Sequence, residues 1–163
     1  MNSTQPGILQ QLNHYAKTQP NKVAFSVVGS INESIDYHTL AIKTDRVAAA
    51  LQQQYSAGER VMLIYPNNLE FVISLLACFK VGLIAVPIAL PAFNRKRLSA
   101  SVLALAQLAR SVEPVAILTS TKVQAILSQA IDNPETNAID PLLIQTQCLS
   151  NISISTLEEL AIQ

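Results

Sequence analysis

Residues 59–91 read ERVMLIYPNNLEFVISLLACFKVGLIAVPIALP and are the most apolar stretch of the chain. The twenty residues from Phe71 to Leu90 carry a single charge, Lys80, and match the length of a membrane-spanning helix. Gly82 and Pro87 interrupt that run, because glycine weakens a helix and proline removes a donor and clashes with the preceding turn. We therefore interpret the stretch as three shorter elements rather than a membrane span: a strand from Arg60 to Tyr65, a helix from about Asn68 to Val81, and a strand from Leu83 to Ile88.

The ends of this helix carry recognisable signals. Asn67 is followed three residues later by Glu70, which resembles a capping box, and Gly82 stands where a left-handed C-cap is expected. An apolar helix between two continuous apolar strands is typical of a βαβ unit whose strands are buried on both faces of a parallel sheet.

Composition limits the classes of protein. A chain of 163 residues predicts one domain, and its zero net charge and pI near 6.7 favour neither a nucleic-acid partner nor an anionic membrane surface. Charged residues make up 13%, against roughly 25% in ordinary soluble domains. Either something else covers part of the surface, or the surface is rich in Ser, Thr, Asn and Gln.

The cysteines and histidines predict neither a metal site nor a redox site. Cys78 and Cys148 are far apart in sequence, and His14 and His38 are the only imidazoles, so no ligand cluster follows from the spacing. We expect both cysteines to be small core residues. The start, MNSTQPG, lacks the features of a signal peptide, and we expect a cytoplasmic protein.

The rest of the chain alternates between strand and helix patterns, which predicts an α/β fold with a mostly parallel sheet flanked by helices on both faces and an N-terminal β-hairpin. Upstream we predict a helix Ile8 to Thr18, hairpin strands Lys22 to Val28 and Glu33 to Tyr37, and a helix His38 to Tyr55 whose buried stripe is Leu40, Thr44, Val47, Ala48 and Leu51. Downstream we predict a helix ending at Val112, whose buried stripe is Leu98, Val102, Leu105, Ala109 and Val112. A strand Val115 to Thr119 and a helix Thr121 to Ile131 follow. The remaining predicted elements are a loop Asp132 to Pro141, a strand Leu142 to Thr146 and a helix Ser155 to Ile162.

Parallel sheets bind ligands at the carboxyl ends of their strands, and three loops occupy that position here. They are residues 65–68, 87–94 and 119–121. From strand-end position alone, we take Tyr65, Pro91 and Phe93 as candidate substrate contacts.

Residues that would carry chemistry are mostly missing. The four glycines are not clustered, which excludes a Rossmann fingerprint or a Walker loop, and no G-x-S-x-G is present. We therefore interpret Ser120 as a helix cap and predict no catalytic, cofactor-binding or metal-binding residue. We interpret Lys80 as a structural residue near the end of a helix, and His38 as solvent-exposed or hydrogen-bonded. The cations at 95–97 are expected on a solvated face, with an anionic ligand or carrier protein as the alternative.

Four stretches together resemble the start of an adenylate-forming enzyme, in the superfamily of acyl-CoA synthetases, luciferases and the adenylation domains of nonribosomal peptide synthetases. They are QPNKVAF (19–25), DYHTL (36–40), GERVMLIYPNNLEFVISLLACFKVGLIAVP (58–87) and EPVAILTS (113–120). Within the superfamily, the YP before the central helix, the AVPIALP after it and the Arg-containing helix that follows are most similar to fatty acyl-AMP ligases.

The resemblance implies an enzyme that uses ATP and Mg²⁺ to turn a fatty acid into an acyl adenylate, with release of pyrophosphate. The acyl group then passes to the phosphopantetheine thiol of an acyl carrier protein, or to coenzyme A in the synthetases. The family's phosphate loop, nucleotide contacts, magnesium-binding glutamate and catalytic lysine have no counterpart in this sequence.

Residues 1–163 are therefore expected to be a single, truncated N-terminal subdomain, inactive alone, whose partner is the remainder of the adenylation domain. Three alternatives stay open: a fragment of an acyl-CoA synthetase or amino-acid adenylation domain, a non-catalytic interaction or oligomerisation module, and a membrane-anchored segment.

Overall fold

The computed structural model describes residues 7–29, 32–90, 98–131 and 153–156, which contain five helices and six strands. In chain order these are α1 Ile8–Thr18, β1 Val23–Val27, β2 Glu33–Asp36, α2 Tyr37–Gln54, β3 Arg60–Ile64, α3 Leu69–Val81, β4 Ile84–Ile88, α4 Leu98–Val112, β5 Ala116–Thr119, α5 Thr121–Ile131 and β6 Ser153–Thr156.

The sheet is parallel and has the strand order β4-β3-β5-β6, while β1 and β2 form a separate antiparallel hairpin. The predicted α/β fold, with helices on both faces and an N-terminal hairpin, is confirmed. The central apolar stretch forms β3, α3 and β4, and no helix in the described ranges is long and apolar enough to cross a membrane.

Side chains of β3 alternate between the two faces of the sheet. Val61 and Leu63 pack in a buried cluster with α1, α2 and α3, whereas Met62 and Ile64 pack in another with α4 and α5. The β3 to β4 and β4 to β5 crossovers run in opposite directions across the sheet, and right-handed crossovers then place α3 and α4 on opposite faces. We call these the α3 face and the α4 face.

Strand β4 lies at an edge, which corrects the prediction that both strands of the βαβ unit are buried on both faces. Ile84 is 48% exposed, and no residue of β4 is fully buried. Ile84 donates its N–H to the carbonyl oxygen of Glu59, so the alternation along the strand turns the nitrogen of Pro87 toward the free edge. Proline costs no ladder hydrogen bond there, which explains its place inside a strand.

The ends of the helices are set by side-chain caps and one glycine. Asn68, not Asn67, caps α3: its Oδ1 accepts from the N–H of Phe71 at 3.2 Å, so the predicted capping box is wrong by one residue. Glu70 instead accepts from Nδ2 of Asn68 at 2.9 Å. Gly82 is the predicted left-handed C-cap, with φ of 77°.

The upstream elements agree closely with prediction. Helix α1 has the predicted bounds, and every residue of the predicted α2 stripe is buried. In α4 the described members of the stripe pack as expected, with Val102, Leu105 and Ala109 buried and Val112 half-buried.

The predictions for the C-terminal residues are partly wrong and partly untested. The loop at 132–141 and the strand at 142–146 lie outside the described residues. Among the described residues, the fourth strand of the sheet is Ser153–Thr156, which pairs with β5. The helix predicted from Ser155 is therefore wrong at Ser155 and Thr156, and the rest of that helix lies outside the described residues. The alternation of Ile154 with Ser153 and Ser155 is a strand signal over only four residues, which is too short to be decisive without the partner strand.

Candidate functional site

An open cavity of about 300 Å³ lies at the carboxyl ends of β3 and β4. Two of the three loops predicted from strand-end position contribute to it, and α3 adds one further side chain. We call it the strand-end cavity; its lining is Tyr65, Pro66, Asn67, Phe71, Pro87, Ile88 and Ala89. The lining holds no charged side chain, and its only side-chain amide is that of Asn67.

The topology explains why a cavity opens here. The connection after β3 leads to α3 on one face of the sheet, and the connection after β4 leads to α4 on the other face. Chains that diverge from neighbouring parallel strands leave a crevice between them at the carboxyl edge.

Tyr65, a candidate substrate contact, is the innermost part of this lining. It is 6% exposed, whereas the other six lining residues are half-buried or exposed. Its hydroxyl lies 2.8 Å from Oγ of Ser74, and the ring meets Phe71 edge-on with centroids 6.5 Å apart. Burial raises the pKa of Tyr65, so the phenol is neutral at physiological pH and unsuited to general base catalysis.

The third predicted loop does not line the strand-end cavity. Thr119 is fully buried, and its Oγ1 donates to the carbonyl oxygen of Ile64, which joins the ends of β5 and β3. Ser120 immediately precedes α5, and its carbonyl oxygen accepts from the N–H of Gln124 at 2.8 Å. Capping by the side chain of Ser120 stays a prediction.

Of the other residues considered from the sequence, some are described by the structure and others are not. Pro91, Phe93 and the cations at 95–97 lie outside the described residues, as does Cys148. Cys78 is fully buried, and burial raises the pKa of its thiol to about 12, which confirms it as a core residue. Lys80 bonds the carboxylate of Asp45 on α2, an exposed pair of structural character.

The imidazoles are solvent-exposed, since both His14 and His38 lie on open surface. Within the described ranges, no three His, Cys, Asp or Glu side chains are grouped so that they could hold a metal ion.

Phe71 and Ser74 were missed by sequence reasoning. Both belong to α3, and a helical residue reaches a strand end only through the way the helix packs. The one available signal was the three-residue spacing between them, which places them one turn apart on the same side of the helix.

A family model described as "AMP-binding enzyme" matches residues 12–159. The chain belongs to the AMP-binding enzyme family. Its similarity to adenylate-forming enzymes, inferred from four sequence stretches, is thereby confirmed.

Two relatives with similar sequences are named for fatty acids. The putative fatty-acid–CoA ligase FadD21 of Mycobacterium tuberculosis is 28% identical over 144 residues, which cover 83% of this chain and 24% of FadD21. The medium-chain-fatty-acid–[acyl-carrier-protein] ligase JamA of Moorena producens is 34% identical over 88 residues, or 52% of this chain and 14% of JamA. The chain thus spans about a quarter of the length of FadD21.

Among solved structures, the fatty acyl-adenylate ligase of L. pneumophila has a TM-score of 0.66 to this chain at 23% identity. The match covers 91% of this chain and 23% of that one. At 23% identity this similarity is evidence about the fold alone. It shows that the sheet and helices of this chain are arranged as in that ligase.

Proposed function

We propose that this chain forms the first subdomain of an ATP-dependent fatty acyl-AMP ligase. The enzyme would join a fatty acid and ATP into an acyl adenylate and pyrophosphate, then pass the acyl group to the phosphopantetheine thiol of an acyl carrier protein. The observation that carries the proposal is the AMP-binding family match over residues 12–159, together with relatives named for fatty-acid ligation.

The strand-end cavity supports the fatty-acid part of the proposal. Its lining suits a hydrocarbon chain, since apolar contact is favourable in proportion to the apolar area removed from water. Tyr65, Pro91 and Phe93 are the side chains that we propose near the acyl group.

The strand-end cavity does not fit a site for ATP and Mg²⁺. The lining of the strand-end cavity has no cation for phosphate, and the described ranges contain no group of three or more His, Cys, Asp or Glu side chains that could hold a metal ion. We therefore propose that nucleotide binding and the chemical steps depend on other parts of the enzyme.

The proposal is tested by ATP–pyrophosphate exchange. The product of the natural gene, at the length found in its source, is assayed with medium-chain and long-chain fatty acids beside the 163-residue chain. We expect fatty-acid-dependent exchange from the native-length protein and none from the 163 residues alone. Robust exchange by the 163-residue chain, or exchange that depends on amino acids instead, contradicts the proposal.

A second candidate is a stand-alone interaction module, favoured by apolar side chains on the surface. Val28 is 81% exposed, and Phe25 and Ile84 are also exposed. This candidate predicts a native protein of 17.7 kDa that forms a stable homo-oligomer. An immunoblot of the source, with an antibody against these residues, distinguishes the two: a band several times heavier supports the ligase.

A further inference from the structure

We propose that Tyr65 is the floor of the strand-end cavity and sets the length of hydrocarbon chain that the cavity admits, with Ser74 as the positioning residue that holds it. The acyl nature of the ligand rests on the proposed function. The role of the two residues rests on their geometry.

Burial identifies the floor. Of the seven lining residues only Tyr65 is buried, so the other six form the walls and the rim. Ser74, which bonds the phenol, and Cys78, one turn further along α3 and in the same buried cluster as Tyr65, are both 0% exposed. A chain entering from solvent therefore passes the rim first and stops at the ring of Tyr65.

The chemistry of the floor determines which end of the ligand reaches it. The hydroxyl of Tyr65 is bonded to Oγ of Ser74, and burial keeps the phenol neutral, so the floor offers no cation to a carboxylate. An ionised carboxylate taken there would lose its hydration without a charged partner to compensate. The methyl end of a fatty acid fits this floor, and the carboxylate stays toward the rim.

Ser74 holds the ring in place. Its Oγ lies 2.8 Å from the hydroxyl of Tyr65, and Phe71 contacts the same ring one helical turn earlier. A tyrosine anchored at its far end has little freedom to swing aside for a longer chain. Loss of the anchor should therefore relax the length limit even where the ring itself is kept.

The test measures binding of straight-chain fatty acids to the 163-residue chain by amide chemical shifts, using octanoate, dodecanoate and hexadecanoate below their micellar concentrations. We expect shifts at Asn67 and Ala89 and a dissociation constant that stops improving beyond one chain length. In Tyr65→Ala that limit moves to longer chains, with affinity rising about fourfold for each further methylene admitted.

Two further variants separate positioning from stability. Ser74→Ala and Tyr65→Phe each break the hydrogen bond and keep the ring, and we expect both to move the length limit to longer chains. If the bond were merely structural, both variants would unfold more easily and keep the wild-type length limit, which overturns the role of Ser74.

A rim variant covers the case in which Tyr65→Ala fails to fold. Ala89 is exposed, so Ala89→Leu fills the cavity from outside without disturbing the core, and we expect weaker binding at every chain length. Unchanged binding in Ala89→Leu overturns the proposal. So do shifts centred on Leu12 and Phe25, which line a separate cavity of about 150 Å³.

The two proposals fail separately. If the native-length protein shows fatty-acid-dependent exchange but prefers the same chain length in Tyr65→Ala, the role of Tyr65 is overturned and the ligase function is supported. If this chain binds fatty acids with a length limit that depends on Tyr65, but the native-length protein shows no exchange, the role of Tyr65 is supported and the ligase function is overturned.

Discussion

Gly58 donates its backbone N–H to the carbonyl oxygen of Gly82 at 2.9 Å, and this bond joins the loop before β3 to the turn before β4. The next bond along, from the N–H of Ile84 to the carbonyl oxygen of Glu59, begins the parallel ladder. The ladder between the two strands that bound the strand-end cavity is therefore preceded, at the opposite end of the sheet, by a backbone bond between two glycines.

Gly82→Ala should destabilise the protein by about 1–2 kcal/mol or more, because an L-residue is strained in the left-handed region. Gly82 has φ of 77°, and an added Cβ would lie 3.2 Å from Cβ of Ala57. Gly58→Ala is the matched control, since its φ is 87° but nothing lies within 4 Å of an added Cβ. Urea unfolding measures both, and equal losses would mean that the approach to Ala57 costs nothing.

Asn68→Ala should lower the free energy of unfolding by about 0.5–2 kcal/mol, because it removes the acceptor for the N–H of Phe71 at the start of α3. Asn67→Ala, one residue earlier, should change it by less than about 0.5 kcal/mol, as expected for an exposed position without a cap. Thermal denaturation of the two variants decides between them. A larger effect at Asn67 would restore the capping box predicted from sequence.

Thr44→Val should leave stability unchanged or raise it by about 1 kcal/mol. Thr44 is 1% exposed in the core face of α2, and its hydroxyl has no hydrogen-bond partner among the residues that the structure describes. Valine has nearly the same shape and removes the cost of burying that hydroxyl. Thr44→Ser is the control: it keeps the hydroxyl and loses a methyl group, so chemical denaturation should show a loss. Destabilisation by valine would reveal a partner for the hydroxyl.

Stability should fall as pH rises from about 9 toward about 12, because burial raises the pKa of Cys78 from 9.0 to about 12. Over this window the unfolded chain has released the thiol proton while the folded chain keeps it, so rising pH favours unfolding. The thiol contributes at most roughly 1.4 kcal/mol per pH unit. Urea unfolding across this range should show a shallower decline in Cys78→Ala than in the wild type. Parallel curves would mean that the thiol titrates normally.

Helix positions were predictable because their signals are local. The bounds of α1 follow from an apolar stripe and from Pro20, and Gly82 marked the end of α3 through a conformation that few other residues tolerate. The α2 stripe, Thr44 included, followed from 3.6-residue periodicity alone. The same local reasoning placed Tyr65 at a strand end, where it lines the strand-end cavity.

Features set by pairing between distant segments were not predictable. The apolar composition of β4 suggested a buried strand, yet the strand order leaves it at an edge. Strand β6 has too weak a pattern to identify without its partner β5. The cap of α3 moved from Asn67 to Asn68, because both residue types suit the position and the path of the chain after β3 decides which side chain meets the N–H of Phe71.

By itself, the sequence determined the alternation of strands and helices, the family, and the edge of the sheet at which a ligand site is expected, since each depends on residues close together in the chain. Only the tertiary structure decided that the cavity opens beside β4, that Tyr65 is its innermost residue, and that Ser74 anchors the phenol. Contacts between a strand end and the second turn of a helix depend on how α3 packs against the sheet. That packing is a property of the whole core rather than of any local pattern.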